Sequence, residues 1–232
     1  GEAFIPNGSR SFVVLKEFDL AYGRIPKAAN STIKAALFEL LGLENEDPAN
    51  LSRDSFWREI PGNKADLLTA AQLQSQHPDA LVFSFTRNPF ARVSSCYFNK
   101  LKLTDEPSSY FRRRGFTRDT TFAEFVERVA SYDDRSTDKH LMSQCHVLSH
   151  TGKMLPQFVG RVETIDDDWQ RLTDLVLERG GPKLETLGHR NRTRMTRSSD
   201  AELFSDPALT KLVRERYAED FSTFYPDLAD PL

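Results

Sequence analysis

Ile25-Pro26-Lys27-Ala28-Ala29-Asn30-Ser31-Thr32-Ile33-Lys34 joins a short apolar run to the start of an amphipathic segment. Upstream, Phe12 to Leu15 and Leu20 to Ile25 have the composition of two extended runs, possible partners in a hairpin. Downstream, Ile33, Ala36, Leu37, Leu40 and Leu41 recur at helical spacing, and Gly42 ends the run as a glycine past a helix C-terminus does. The stretch therefore reads as a strand-to-helix corner. A helix start offers unpaired N–H groups and a partial positive charge, and Lys27 adds a full one, which together make a cradle for an anion. A plainer reading stands beside it, in which Ser31 or Thr32 only caps the helix.

A second corner follows the same plan. Ala80-Leu81-Val82-Phe83-Ser84-Phe85 is a compact apolar run suited to a buried central strand, and it ends in Thr86-Arg87-Asn88-Pro89. Pro89 fits the first turn of a helix, where its missing N–H costs nothing. That helix buries Phe90, Val93, Tyr97 and Leu101. Residues 44–64 are polar and poorly periodic, a loop with one short helix, and Leu67 to Gln76 is expected to form another helix. Thr121 with Glu124 has the spacing of a capping box before Phe125, Val126 and Val129. Phe158 to Val162 is strand-like and leads through Asp166-Asp167-Asp168 into a helix with Trp169, Leu172 and Val176 on its apolar face. A last helix runs from Pro207 to Tyr217. This alternation predicts an α/β fold, a three-layer α/β/α sandwich on a mostly parallel sheet, with residues 1–232 as a single domain and ligands at the carboxyl ends of the strands.

Composition narrows the classes. The 232 residues with 17 Phe, six Tyr and two Trp suffice for a large core. Lys and Arg number 31 against 34 Asp and Glu, a formal charge of −3, which argues against a general nucleic-acid binder. Cys96 and Cys145 match no zinc spacing and no disulfide framework, so they read as buried thiols of a reducing compartment, with one isolated disulfide as the alternative. No apolar run approaches the ~20 residues of a membrane span, and no signal-peptide core is visible. Arg112-Arg113-Arg114 is read as a solvated face or loop that can help attract an anion.

Neither corner is the glycine-rich GxxxxGK[ST] loop: Lys27 precedes Ser31 and Thr32 by four and five positions, and no strand-end aspartate suited to magnesium follows. What remains is two basic corners, one with Lys27, Ser31 and Thr32, the other with Arg87 and, two helical turns on, Ser95. A ligand with separated phosphates satisfies both.

Here the chain resembles the sulfotransferases, in particular the carbohydrate sulfotransferases of Golgi membranes (chondroitin and HNK-1 types) and their bacterial relatives. Ile25 to Thr32 resembles their 5'-phosphosulfate loop, and Phe85 to Tyr97 with Asn99-Lys100 resembles their 3'-phosphate segment, where a serine lies eight residues after an arginine. Phe158 to Thr164 with Asp168, and Arg214 to Tyr225, are similar to further family landmarks in the same order. The resemblance implies a sulfotransferase variant of the P-loop nucleotide-hydrolase fold and a donor, 3'-phosphoadenosine 5'-phosphosulfate (PAPS), with PAP as product and no metal. It assigns Lys27 to the leaving 5'-phosphate, Pro26 and Ala28 to Thr32 to the loop around it, and Arg87 and Ser95 to the 3'-phosphate. The sequence departs from the common pattern at Ala28-Ala29-Asn30, where Asn30 is suited to a left-handed turn, and at Asn88.

Transfer to an alcohol needs a proton acceptor. Of His77, His140, His146, His150 and His189, His140 in Asp138-Lys139-His140-Leu141 resembles a family segment near the acceptor cleft and is the expected base; a capping or packing histidine is the alternative. His77 reads as a turn residue, and Glu59 and Asp66 stand as carboxylate substitutes. In Gly188 to Arg194, Arg192 or Arg194 is expected at a donor phosphate or an anionic acceptor, the alternative being an exposed loop whose charges aid solubility. The expected activity is sulfuryl transfer from PAPS to a hydroxyl of a carbohydrate or glycoside, in the cytoplasm, or in the Golgi lumen if the chain was cut from an anchored protein. The competing readings are a small-molecule kinase and a PAP- or PAPS-binding module without catalysis.

Overall fold

Phe12-Val13-Val14-Leu15 is apolar on both faces and wholly buried, and it forms the first strand of a sheet covered on both sides. In the computed structural model, which describes residues 9–43, 48–188 and 200–228, the strands are β1 (Phe12–Leu15), β2 (Leu20–Gly23), β3 (Ala65–Leu68), β4 (Leu81–Thr86), β5 (Ser149–His150), β6 (Lys153–Met154) and β7 (Phe158–Arg161). The helices are α1 (Asn30–Leu40), α2 (Asp54–Arg58), α3 (Ala70–Gln76), α4 (Pro89–Tyr97), α5 (Ser109–Arg113), α6 (Phe122–Ala130), α7 (Gln144–Leu148), α8 (Ile165–Glu178), α9 (Asp200–Leu203), α10 (Pro207–Arg216) and α11 (Ala218–Phe224). Contacts divide the described chain into two units, residues 9–86 with 147–188 and residues 87–146 with 200–228.

The first unit holds a five-stranded sheet in the order β3-β1-β2-β4-β7. β2, β4 and β7 run parallel, with Leu20 opposite Leu81 and Thr86 opposite Arg161. β1 is antiparallel to both β2 and β3, so the sheet is mixed and the expected parallel order holds for its β2-β4-β7 half. The reason is local. Only Lys16 to Asp19 separates β1 from β2, and so short a link can only turn the chain back. Side chains alternate between two cores. Val13, Leu15, Leu20, Tyr22, Phe83 and Phe85 pack with Ile33 and Leu37 of α1, Trp57 of α2, and Trp169 and Leu172 of α8. Phe12, Val14, Ala21 and Val82 pack with Leu73 of α3 on the other face. These are the three layers expected from the sequence. β5 and β6 form a separate two-stranded ribbon.

The segment expected as one helix from Leu67 divides instead. Ala65–Leu68 is β3, held to β1 in antiparallel register, and a capping box of Thr69 and Gln72 starts α3 at Ala70. Pairing with β1 outweighs the weak helical periodicity of a four-residue run. The capping box of Thr121 with Glu124 and the place of Pro89 at the start of α4 are as expected. The last expected helix ends at Arg216, and α11 follows after Tyr217.

The second unit is helical and built on aromatics. Phe90 of α4 meets Phe204 and Phe221 at ring separations of 5.0 and 5.1 Å, and Tyr97 meets Phe122 and Phe125 of α6 at 5.2 and 5.4 Å. Each such buried ring contributes about 1.5–3 kcal/mol from area alone.

Gly160 of β7 leaves room for the Phe85 ring, which lies 5.9 Å from Trp169; a Cβ on Gly160 would sit 2.4 Å from Phe85 Cε1. Gly160→Ala is therefore expected to destabilise the fold by about 1–3 kcal/mol, read from urea unfolding. An unchanged midpoint would mean the ring has room to move aside.

Candidate active site

The corner after β2 is held in place by burial and bent by strain. Ile25 and Ala28 are fully buried, and the Ala28 N–H donates to the Ile25 carbonyl at 3.2 Å to close a tight turn. Lys27 (φ 71°) and Ala29 (φ 52°) both take the left-handed conformation, which costs an L-residue roughly 1–2 kcal/mol each. The left-handed positions are thus Lys27 and Ala29, whereas Asn30, the residue expected to fill that role, is the first residue of α1. Burial of the two flanking apolar residues offsets this strain.

Ala29 is the N-cap of α1 and has no side chain to cap with. The first intrahelical bond runs from the Ile33 N–H to the Ala29 carbonyl at 3.1 Å. The N–H groups of Asn30, Ser31 and Thr32 come before it, and the helix has no carbonyl of its own to give them. Ser31 and Thr32 lie inside the first turn and do not occupy the cap position, so the plain capping reading loses its geometry. The Asn30 Oδ1 is buried and, among the described residues, has no hydrogen-bond partner. Arg24, 7% exposed, fixes the chain entering the loop by an ion pair with Asp54 at 2.7 Å and a bond to the Arg10 carbonyl.

In the helical unit, Arg87 is the first residue after β4. The side-chain amide of Gln144 grips its backbone: the Arg87 N–H donates to Oε1 and Nε2 donates to the Arg87 carbonyl, both at 2.9 Å. Asn88 caps α4 by accepting from the Phe90 N–H at 2.9 Å, which explains its presence before Pro89. Ser95 lies two turns into α4 and is 8% exposed. Arg92, which nothing in the sequence pattern marked, is buried and donates to the carbonyls of Met142 (2.6 Å) and Lys139 (3.4 Å).

Arg92 thereby holds the loop that carries His140. The His140 Nδ1 lies 2.5 Å from Asp138 Oδ1, and the same oxygen accepts from the His140 backbone N–H at 2.9 Å. Burial pushes the Asp138 carboxyl up, but the His140 hydrogen bonds and the nearby His140 and Lys100 charges outweigh it and hold the carboxylate below its ordinary range. A carboxylate on Nδ1 fixes the ring's orientation and makes Nε2 the nitrogen that can take a proton. The loop is also bound from the C-terminal side: Arg216 reaches Asp134 at 2.5 Å, the Tyr217 hydroxyl donates to the Leu141 carbonyl at 2.9 Å, and Asp220 accepts from the Gln144 and Cys145 N–H groups.

Other expected features have structural roles. Asp168 joins β7 to α8, accepting from the Arg161 N–H (2.8 Å) and the Thr164 hydroxyl (2.7 Å). Arg112 pairs with Glu106, and Arg114 lies 3.8 Å over the Tyr110 ring while donating to the Ser136 carbonyl. Asp66 pairs with Lys16 at 3.4 Å and faces His77 at 3.7 Å. Arg192, Arg194 and His189 lie outside the described residues. No helix of the described residues is long and apolar enough to cross a membrane.

The model of the sulfotransferase family matches residues 10–226. Carbohydrate sulfotransferase 11 of Danio rerio is 26% identical over 229 residues, covering 87% of this chain and 62% of that protein. Its namesake in Mus musculus is 25% identical over 219 residues, covering 81% and 59%. The chain thus spans about three fifths of the length of these relatives. No solved structure matches it.

Asp134 ties the His140 loop to pH. Burial pushes its carboxyl up, but hydrogen bonds from Arg216 and Ser143 and the Arg216 charge hold it below its ordinary 3.8. A carboxyl depressed in the folded state contributes stability above its unfolded pKa and loses it as pH falls through the folded one. Asp134→Asn should therefore cost about 3 kcal/mol at neutral pH and flatten the loss of stability from about pH 5 downward, measured by urea unfolding across pH. A wild-type slope in the variant would contradict the assignment.

Proposed function

The chain belongs to the sulfotransferase family, and we propose that it transfers a sulfuryl group from PAPS to a hydroxyl of a carbohydrate or glycoside. The observation that carries this reading is the corner before α1, where a lysine and a left-handed backbone precede helix N–H groups that no N-cap side chain serves. When bound, PAPS supplies a sulfur atom that forms a bond to the acceptor oxygen as its bond to the bridging phosphate oxygen breaks.

Lys27 then neutralises the charge that grows on the leaving 5'-phosphate, where an ammonium group is worth most. The N–H groups of Asn30, Ser31 and Thr32, together with the Ser31 and Thr32 hydroxyls, hold and orient that end. Arg87 and Ser95 take the 3'-phosphate; a planar guanidinium suits a phosphate, so Arg87→Lys is not conservative. His140 accepts the acceptor's proton at Nε2 while Asp138 steadies the imidazolium through Nδ1. The carbohydrate acceptor is inferred from the names of the relatives, carbohydrate sulfotransferase 11 in both organisms.

Calorimetry with 3',5'-ADP and 5'-AMP tests the donor. Wild-type protein should prefer 3',5'-ADP, and Arg87→Ala should lose about 10–100-fold of that affinity, the value of a charge-assisted phosphate contact. Equal binding of both nucleotides by the wild type sinks the 3'-phosphate assignment. His140→Ala should keep its affinity for 3',5'-ADP and lose about 10²–10⁴-fold in turnover on an accepted sugar. Near-normal turnover removes His140 as the base.

A further inference from the structure

Gln144 is fully buried, and both ends of its amide are used on a single residue, Arg87. Arg87 stands just past the last ladder pair of β4, Thr86 opposite Arg161, and is half-buried. The two bonds from Gln144 fix the N–H and the carbonyl of this residue together, as one rung of a ladder would. Gln144 is itself anchored. Asp220, 0% exposed, accepts its N–H at 2.9 Å through Oδ2 and the next N–H, that of Cys145, at 2.8 Å through Oδ1. A buried carboxylate on α11 thus sets a buried amide, and the amide sets the backbone from which the Arg87 side chain projects.

We propose that Gln144, seated by Asp220, is a positioning residue for the 3'-phosphate contact, acting through the Arg87 backbone and not on the nucleotide itself. The inference rests on the donor reading above. Ordering one residue's backbone has an entropic cost, and ordering a long side chain adds to it. Gln144 moves the backbone part of that cost from binding to folding, so the guanidinium is presented from a fixed stem when the phosphate arrives. A merely structural glutamine, there to satisfy two buried backbone groups, would also stabilise the fold but would not change how the protein discriminates between nucleotides.

Gln144→Met keeps the length and volume and removes both bonds. Calorimetry should find its affinity for 3',5'-ADP reduced about tenfold, with 5'-AMP binding within about twofold of wild type. A preference for 3',5'-ADP retained in Gln144→Met overturns the positioning role alone. A wild type without that preference overturns the donor reading, and the role with it. Should the variant not fold, amide hydrogen exchange on the unliganded wild type decides. The Arg87 N–H is expected to be strongly protected although it lies beyond the strand, and exchange at the rate of an open loop would contradict the pin.

Discussion

Parallel pairing of β2 with β4 is the constraint from which the rest follows. Leu20 to Gly23 lie opposite Leu81 to Ser84, and both strands are buried on both faces, so neither can slip without exposing a row of apolar side chains. Parallel strands finish at one edge of their sheet. There the ladder stops, backbone groups lose their regular partners, and the carboxyl ends of the strands become the place where polar chemistry is possible. β2 runs out into Lys27 and α1, and β4 runs out into Arg87. The bond from the Ser84 hydroxyl to the Gly23 carbonyl, 2.7 Å, ties the end of β2 to β4 within the sheet.

What happens beyond each strand differs in kind. After β2 the backbone is strained, with two left-handed residues that are not glycine, and it is held by the buried Ile25 and Ala28 and by Arg24 on Asp54. Strain of this sort persists only where the surroundings over-determine it. After β4 the backbone is instead gripped by a side chain, that of Gln144. One corner is shaped by packing, the other by a buried hydrogen-bond network. The same network reaches the His140 loop through Arg92, Arg216 and Tyr217.

Much of this was legible in the sequence where the signal is local. Pro89 announced the start of α4, Thr121 with Glu124 announced α6, and the apolar run before Arg87 announced a buried strand. The strand-to-helix corner was legible because Lys27, Ser31 and Thr32 fall within six residues of one helix start. β3 was not, because four residues reading Ala-Asp-Leu-Leu are a strand only by virtue of their register with β1. Left-handed geometry at Lys27 and Ala29 carried no sign either, since neither residue type favours it. Asp138 two residues before His140 is a readable spacing for a local side-chain turn. Gln144 and Asp220 lie 57 and 133 positions from Arg87 in the chain, and only the fold brings Asp220 to seat Gln144 and Gln144 to hold Arg87.

The proposed function puts the 5' end of a sulfuryl donor at the lysine corner. A crystal structure with 3',5'-ADP tests it most directly. The account predicts the 5'-phosphate on the N–H groups that open α1, within hydrogen-bonding distance of the Lys27 Nζ. A nucleotide bound with its 5'-phosphate turned away from Lys27, or seated elsewhere on the protein, would contradict it.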